Sequence, residues 1–239
     1  MNDILGLSFT YSYEDIEISD VADDVVSSIS PSKAITSSIQ SNISRDTRDN
    51  IFDASRGNKQ SLSIQYAGGL VGGDINYVKA IAKSSWYFPT FWKFVLSVNS
   101  TLGAIDSFAP STEVPIYDRL YIGGAETVRG YKYRTEIGPI DGGKVMAVCN
   151  VEYKFPIIQE KKRTILHGAL FYDIGGSWLN ASNIDFSLGH ETTKLKAGFG
   201  FGIRFTTPTF PLRLDWGYGL NHKDTEDLRQ LYFTIGSMF

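Results

Sequence analysis

Apolar and polar residues alternate with a period of two along most of this chain. Residues 4–19 set the pattern: Leu5, Leu7, Phe9, Tyr11 and Tyr13 fall on one side, and Gly6, Ser8, Thr10, Ser12 and Glu14 on the other. Strict alternation is the signature of a strand whose two faces meet different surroundings. Applied throughout, it predicts ten strands at about 4–19, 34–46, 60–70, 74–88, 91–103, 144–155, 164–178, 194–206, 211–220 and 228–239, and no helix. Glycine-rich or polar segments separate them: 20–33, VGGD at 71–74, a tight turn at Pro89 and Thr90, a second at Pro208 and Thr209, and a long break at 104–143.

Alternation alone fits both a soluble sandwich and a membrane barrel, because each has one apolar and one polar face. The contents of the faces separate them. Phe199, Phe201, Ile203 and Phe205 share one side of the eighth strand, while Gly198, Gly200, Gly202 and Arg204 share the other. The ninth sets Leu212, Leu214, Trp216 and Tyr218 against Arg213, Asp215, Gly217 and Gly219. Most of these strands exceed the usual five or six residues and match the nine to eleven needed to cross hydrocarbon at a tilt. Connections alternate short and long, as the two ends of an outer-membrane barrel do. The expected fold is an all-β, antiparallel transmembrane β-barrel, occupying 1–239 as one domain.

Composition sharpens this. Hydrophobic content is 42% and mean hydropathy is −0.12, with no run of eighteen apolar residues that would span as a helix. A barrel has no such run either, and the 13% aromatic content suits its interfacial girdles. The net charge of −3 gives no basic face for nucleic acid. Cys149, the one cysteine, cannot form an internal disulfide. The first residues lack the basic and apolar regions of a signal peptide.

The break at 104–143 contains VPIYDRLYIGGAETVRGYKYRTEIGP, residues 114–139, too polar for a strand and too rich in glycine for a helix. With Arg119, Leu120, Gly123, Gly124 and the run Val128, Arg129, Gly130, Tyr131, it resembles the sixth external loop of the BamA-type bacterial surface antigen family. Leu120 stands where that pattern has an aromatic residue. The resemblance continues in SRDTRDNIFDASRG (44–57), NVEYKFPI (150–157), FYDIGGSW (171–178), GFGFGIRFTTP (198–208) and LYFTIGSMF (231–239). In the turn at 44–57, Ala54 replaces a common proline.

The resemblance implies that the loop folds back into the barrel as a plug, with Val128, Arg129, Gly130 and Tyr131 as its anchor. Arg129 would then meet Glu152 on the sixth strand and Asp173 on the seventh. The alternation independently places both carboxylates on the polar face. Arginine suits this task because its planar fork holds a carboxylate bidentately. The final strand, with Phe233, Ile235, Gly236 and Phe239, resembles a C-terminal outer-membrane targeting signal, and would form one side of a seam where an incoming strand could pair.

Family barrels have sixteen strands preceded by POTRA modules. The ten strands here resemble the last ten of such a barrel, without a POTRA module. A truncated piece, a narrow or open ten-strand sheet, and a barrel completed by a second copy all stay open. The function implied is folding and insertion of β-barrel proteins into the bacterial outer membrane. The implied partners are outer-membrane lipids, unfolded barrel clients and assembly lipoproteins. A two-partner-secretion-type channel and an inactive structural fragment are the alternatives. No cofactor or enzymatic activity is expected. His190 and His222 fall in loops, and His167 is about 20 Å along its strand from Asp173. Ser177 and Ser187 have no motif around them. Gly198, Gly200 and Gly202 open no helix, so they form no nucleotide loop; they fit instead as room for the plug or as relief of barrel curvature.

Overall fold

The computed structural model describes residues 4–18, 33–108, 113–160, 163–206, 211–223 and 226–236. Ten strands form one sheet: β1 (Ile4–Glu17), β2 (Lys33–Asp46), β3 (Gly57–Ala67), β4 (Tyr77–Pro89), β5 (Val95–Asp106), β6 (Val145–Glu160), β7 (Arg163–Trp178), β8 (Lys196–Thr206), β9 (Pro211–Gly219) and β10 (Arg229–Ile235). Each pairs antiparallel with the next in sequence, so the order is β1 through β10 without a crossover. Among the described residues β1 and β10 do not pair with each other.

The alternation becomes two surfaces. On β7, Leu170 and Tyr172 point outward and are exposed, while Ala169, Phe171 and Asp173 point inward and are buried. The outward row of β1 is almost wholly open, with Leu5 77% and Phe9 70% exposed. In water an apolar surface of this extent would drive aggregation; against hydrocarbon it is the face that satisfies a membrane barrel. The C-terminal ends of β2, β4, β6 and β8 lie at one end of the sheet, with the described turns 47–56 and 90–94, and those of β3, β5, β7 and β9 lie at the other, which carries the connections that follow Ala67, Asp106, Trp178 and Gly219. The long connections therefore share one end, as expected.

Several boundaries move for identifiable reasons. Pro89 belongs to β4, and the turn is 90–94, closed by Thr90 N–H donating to the Phe94 carbonyl (2.9 Å) and Phe94 N–H to Phe91 (2.9 Å). Strand β5 consequently starts at Val95 and continues to Asp106, so the long loop begins at 107 rather than 104. Strand β6 extends to Glu160, past Pro156, where its register with β7 shifts between Pro156 and Gln159. Proline brings no N–H to a ladder, and a bulge accommodates it. Among the described residues β10 ends at Ile235. Gly236 lies just beyond its end with φ of 115°, donating its N–H to the Pro211 carbonyl (2.8 Å). Gly236 therefore lies outside the span of β10, and the expected continuation through 237–239, Phe239 included, lies outside the described residues. Among the described residues the helical content is two short 3-10 turns, Gly69–Val71 and Ala181–Asn183.

The buried apolar cluster lies between the long loop and the inner face. Val114, Leu120, Ile122, Val128, Tyr131 and Ile137 of the loop pack with Tyr77, Ile105, Met146 and Val148 of the strands. A sheet whose outer face is apolar has its core on the inside only where a loop fills that space.

Candidate functional site: a loop locked to the inner wall

The loop is tied at its base before it reaches the wall. Leu120 and Gly143 exchange backbone hydrogen bonds of 2.8 and 2.9 Å, and Ser177 Oγ donates to the Leu120 carbonyl at 3.0 Å. The chain then reverses at Gly123 and Gly124, both at positive φ. Thr127 Oγ1 fixes the reversal, accepting from Gly123 N–H (2.8 Å) and donating to the Gly123 carbonyl (2.7 Å). Gly124 N–H reaches the Tyr131 carbonyl at 2.8 Å, so Ala125–Gly130 form the tip of a tight turn.

Arg129, at that tip, is fully buried. Its Nε and Nη2 donate to the two oxygens of Asp173 at 2.7 and 2.9 Å, and its backbone N–H donates to Asp173 Oδ2 at 3.0 Å. Nη1 donates to Glu152 Oε2 at 3.0 Å and lies 3.5 Å from Asp215 Oδ2. The guanidinium lies 3.5 Å from the centroid of the Phe171 ring, a cation–π contact away from water. The neighbouring carboxylates hold the Arg129 guanidinium charged, raising its pKa further above the usual arginine range against the opposing effect of burial. A buried ion must be paired and hydrogen-bonded on every side to be tolerated, and Arg129 is.

The structure thus brings together Arg129, Glu152 and Asp173. It adds residues to which sequence reasoning gave no role in the lock. Arg204 donates to Glu152 at 2.7 Å through Nη2 and to Asp215 through Nη1. Arg213 Nη2 lies 3.4 Å from Asp215 and donates to the Ala125 carbonyl at 3.2 Å. Asn150 Nδ2 donates to Asp173 at 2.8 Å and to the Thr127 carbonyl at 2.5 Å. Three arginines and three carboxylates therefore alternate across β6, β7, β8, β9 and the loop. Arg204, Arg213 and Asp215 were legible as inward-facing residues, but their convergence depends on strand register.

Gly130 and Tyr131 bind the other side. Gly130 has φ of 99°, and a Cβ there would lie 2.6 Å from backbone atoms of Tyr218 and Gly219. Both requirements select glycine. Its N–H donates to Tyr232 Oη (3.1 Å), which donates in turn to the Tyr131 carbonyl (2.8 Å). Tyr131 Oη donates to the Ala197 carbonyl (3.0 Å) and accepts from Asn221 N–H (2.8 Å). The alternate glycines of β8 and β9 make this approach possible: a Cβ on Gly198 would come within 2.0 Å of the Arg129 carbonyl oxygen, and one on Gly217 within 2.6 Å of Gly130 N.

The remaining expected residues lie apart from the lock. Phe233 and Ile235 are exposed on the outward side of β10. His167 sits 3.6 Å from Asp53 of the 47–56 turn, which also pairs with Lys154. No group of three or more metal-binding side chains exists among the described residues.

These features define a class: an antiparallel membrane β-sheet with a long loop locked to its inner wall by a buried arginine. The sequence model of the Omp85 superfamily domain matches residues 2–239, and the chain belongs to that family. It is an outer-membrane β-barrel protein. It is 27% identical over 240 residues to the outer membrane protein assembly factor BamA of Nitratidesulfovibrio vulgaris, covering 96% of this chain and 29% of that protein. The chain spans less than a third of the length of the BamA relatives it matches. Its fold is similar to BamA from Haemophilus ducreyi lacking POTRA domains 1-3, with a TM-score of 0.70 at 16% identity, covering 97% of this chain and 59% of that one. It is also similar to CdiB from Acinetobacter baumannii, with a TM-score of 0.54 at 17% identity and 35% of that chain covered.

Proposed function

We propose that the chain acts in folding β-barrel proteins and inserting them into the outer membrane. The observation that carries this reading is its likeness, along almost its whole length, to a protein named as an outer-membrane assembly factor. Two features of the geometry supply a mechanism. Strands β1 and β10 each present an unpaired edge among the described residues. An unpaired edge in hydrocarbon costs several kcal/mol for each unsatisfied group, so it is driven to take up another strand. The Arg129 lock would hold β6 to β9 rigid beside that reactive edge, with Val128, Arg129, Gly130 and Tyr131 as the plug-loop anchor and Glu152 and Asp173 as its wall partners. Tyr232 links the loop directly to β10, so the position of the loop and the state of the edge are mechanically joined.

On this reading the clients are unfolded barrel proteins, and the edges can equally accept further strands of a larger barrel or a second copy. Phe233, Ile235 and Gly236 belong to the seam. No catalytic group is required, because strand pairing and burial supply the driving force. A two-partner-secretion-type channel is the second reading; the likeness to a named assembly factor supports the first reading more.

Folding of an unfolded barrel client into phospholipid vesicles, with and without the protein, tests the proposal. Acceleration of client folding supports it. Ion conductance without acceleration favours the channel.

A further inference from the structure

The 47–56 turn joins β2 to β3, yet its tip sits against β6 and β7, with β4 and β5 lying between them in the sheet. Asp53 pairs with Lys154, whose Nζ also donates to the Ala54 carbonyl (3.3 Å), and Asp53 Oδ2 lies 3.6 Å from His167 Nε2. Lys154 shares the inward parity of Glu152 on β6, and His167 that of Asp173 on β7. The turn therefore crosses the inner side of the sheet, at the end that carries the turns 47–56 and 90–94.

The turn is ordered from within. Thr47 N–H donates to the Asn58 carbonyl (2.8 Å), and Asn58 N–H to Thr47 Oγ1 (2.9 Å). Asp49 Oδ1 accepts the N–H groups of Ser55 (2.9 Å) and Arg56 (3.2 Å), and Asn50 Oδ1 accepts that of Phe52 (2.9 Å). These bonds survive if the tip leaves the far wall. Between the turn and the Arg129 lock lies a cavity. Asp53 and Ala54 line it from the turn, Ser97 and Lys154 from the wall, and Glu152 and Arg204 from the lock. The turn is thus a partition between the lower side of the lock and the end of the sheet. Its fastening also differs from the lock. Arg129 and Asp173 are wholly enclosed and joined through a fork, whereas the Lys154 and Asp53 side chains are 17% and 25% exposed. A single ammonium–carboxylate pair within reach of water is the weaker of the two.

We propose that the 47–56 turn is a strap across this end of the inner space, fastened by Asp53 to Lys154 and released ahead of the Arg129 lock. Open, it admits water and small solutes to Glu152 and Arg204 while the plug loop stays seated. This device does not depend on the assembly reading.

The test places a thiol in the cavity by Ser97→Cys, at a position only 8% exposed, in protein carrying Cys149→Ser and held in detergent micelles. The uncharged reagent N-ethylmaleimide reads access to it. Labelling is expected to be at least about threefold faster than in this parent when Asp53→Asn or Lys154→Gln is added. The two changes move the local charge in opposite directions, so acceleration in both reports opening and not an altered thiol. Exchanging the pair, Asp53→Lys with Lys154→Asp, should return the rate to within about twofold of the parent. Chymotrypsin cleavage after Tyr131 should stay at the parent's rate in both single variants. Acceleration below about threefold in either single variant would overturn the strap. So would an exchanged pair that labels as fast as the single variants, or Tyr131 cleavage that rises in step with labelling.

Discussion

Replacing Arg129 by lysine keeps the charge and removes the fork. In the native loop Asp173 receives Nε and Nη2 together, while Nη1 reaches Glu152. One ammonium cannot fill all three positions, so about two charge-assisted hydrogen bonds are lost. Such bonds contribute about 1.5–3 kcal/mol each. Allowing for local rearrangement, the lower end gives a loss of about 3 kcal/mol in the seating of the loop. That corresponds to a roughly hundredfold larger population of the released loop. Arg129→Ala should cost more, about 3–5 kcal/mol, because it leaves a buried carboxylate without its counter-charge. Asp173 would keep only Asn150 and the backbone N–H, whereas Glu152 would still have Arg204. Chymotrypsin cleavage after Tyr131, buried in the seated loop, reads the released population when reclosing is faster than cleavage. The expected order of rates is Arg129→Ala above Arg129→Lys above wild type, with the lysine variant near a hundredfold. Rates within about threefold of wild type in both variants would refute the anchor.

Other perturbations probe the remaining parts of the seat. Gly130→Ala combines positive φ with a collision against β9, and should destabilise the seated loop by at least about 1–3 kcal/mol, read as faster hydrogen exchange at residue 130. Gly198→Ala should release the loop through the Arg129 carbonyl without touching any ion pair, giving the protease phenotype with the arginines intact. Tyr232→Phe removes one acceptor and one donor between β10 and the loop. It should weaken the seat by about 1–2 kcal/mol and raise exchange in Gly130 and in β10 together; exchange confined to the loop would sever the proposed link. Glu136, in the loop, has its carboxyl raised above the usual range by burial, despite accepting the Lys132 N–H (2.7 Å). The seated loop therefore holds this proton more tightly than the free loop. The contribution of this group to the seating should be greatest below the ordinary glutamate range and decline as pH rises through the raised value. Glu136→Gln should flatten that decline in a proteolysis–pH profile.

The sheet was legible because lipid-facing and inward-facing residues differ so sharply on β7, β8 and β9. The contacts of the loop were legible in part: the parity of Glu152 and Asp173 placed two carboxylates on the polar face, and the resemblance of the Val128–Tyr131 motif supplied the loop arginine that would meet them. The remaining charges of the lock were hidden in register. Asp215 reaches Arg129 only because β9 pairs with β8, where Gly202 lies opposite Asp215, and β8 with β7, where Asp173 lies opposite Gly198. No local pattern reveals such a correspondence. The contact of Asp53 with Lys154 crosses 101 residues, and a turn motif cannot say what the turn will touch. Trp92 at positive φ shows the same limit: FWKF, residues 91–94, reads as the start of a strand, but the hydrogen bonds of Thr90 and Phe94 extend the turn through it.

The measurement that bears most directly on the assembly function is the folding rate of an unfolded barrel client in vesicles carrying the protein, compared with vesicles carrying Arg129→Lys and with empty vesicles. The expected result is clear acceleration by the wild type and a substantial loss of that acceleration in the variant. Client folding at the empty-vesicle rate with correctly inserted wild-type protein would contradict it.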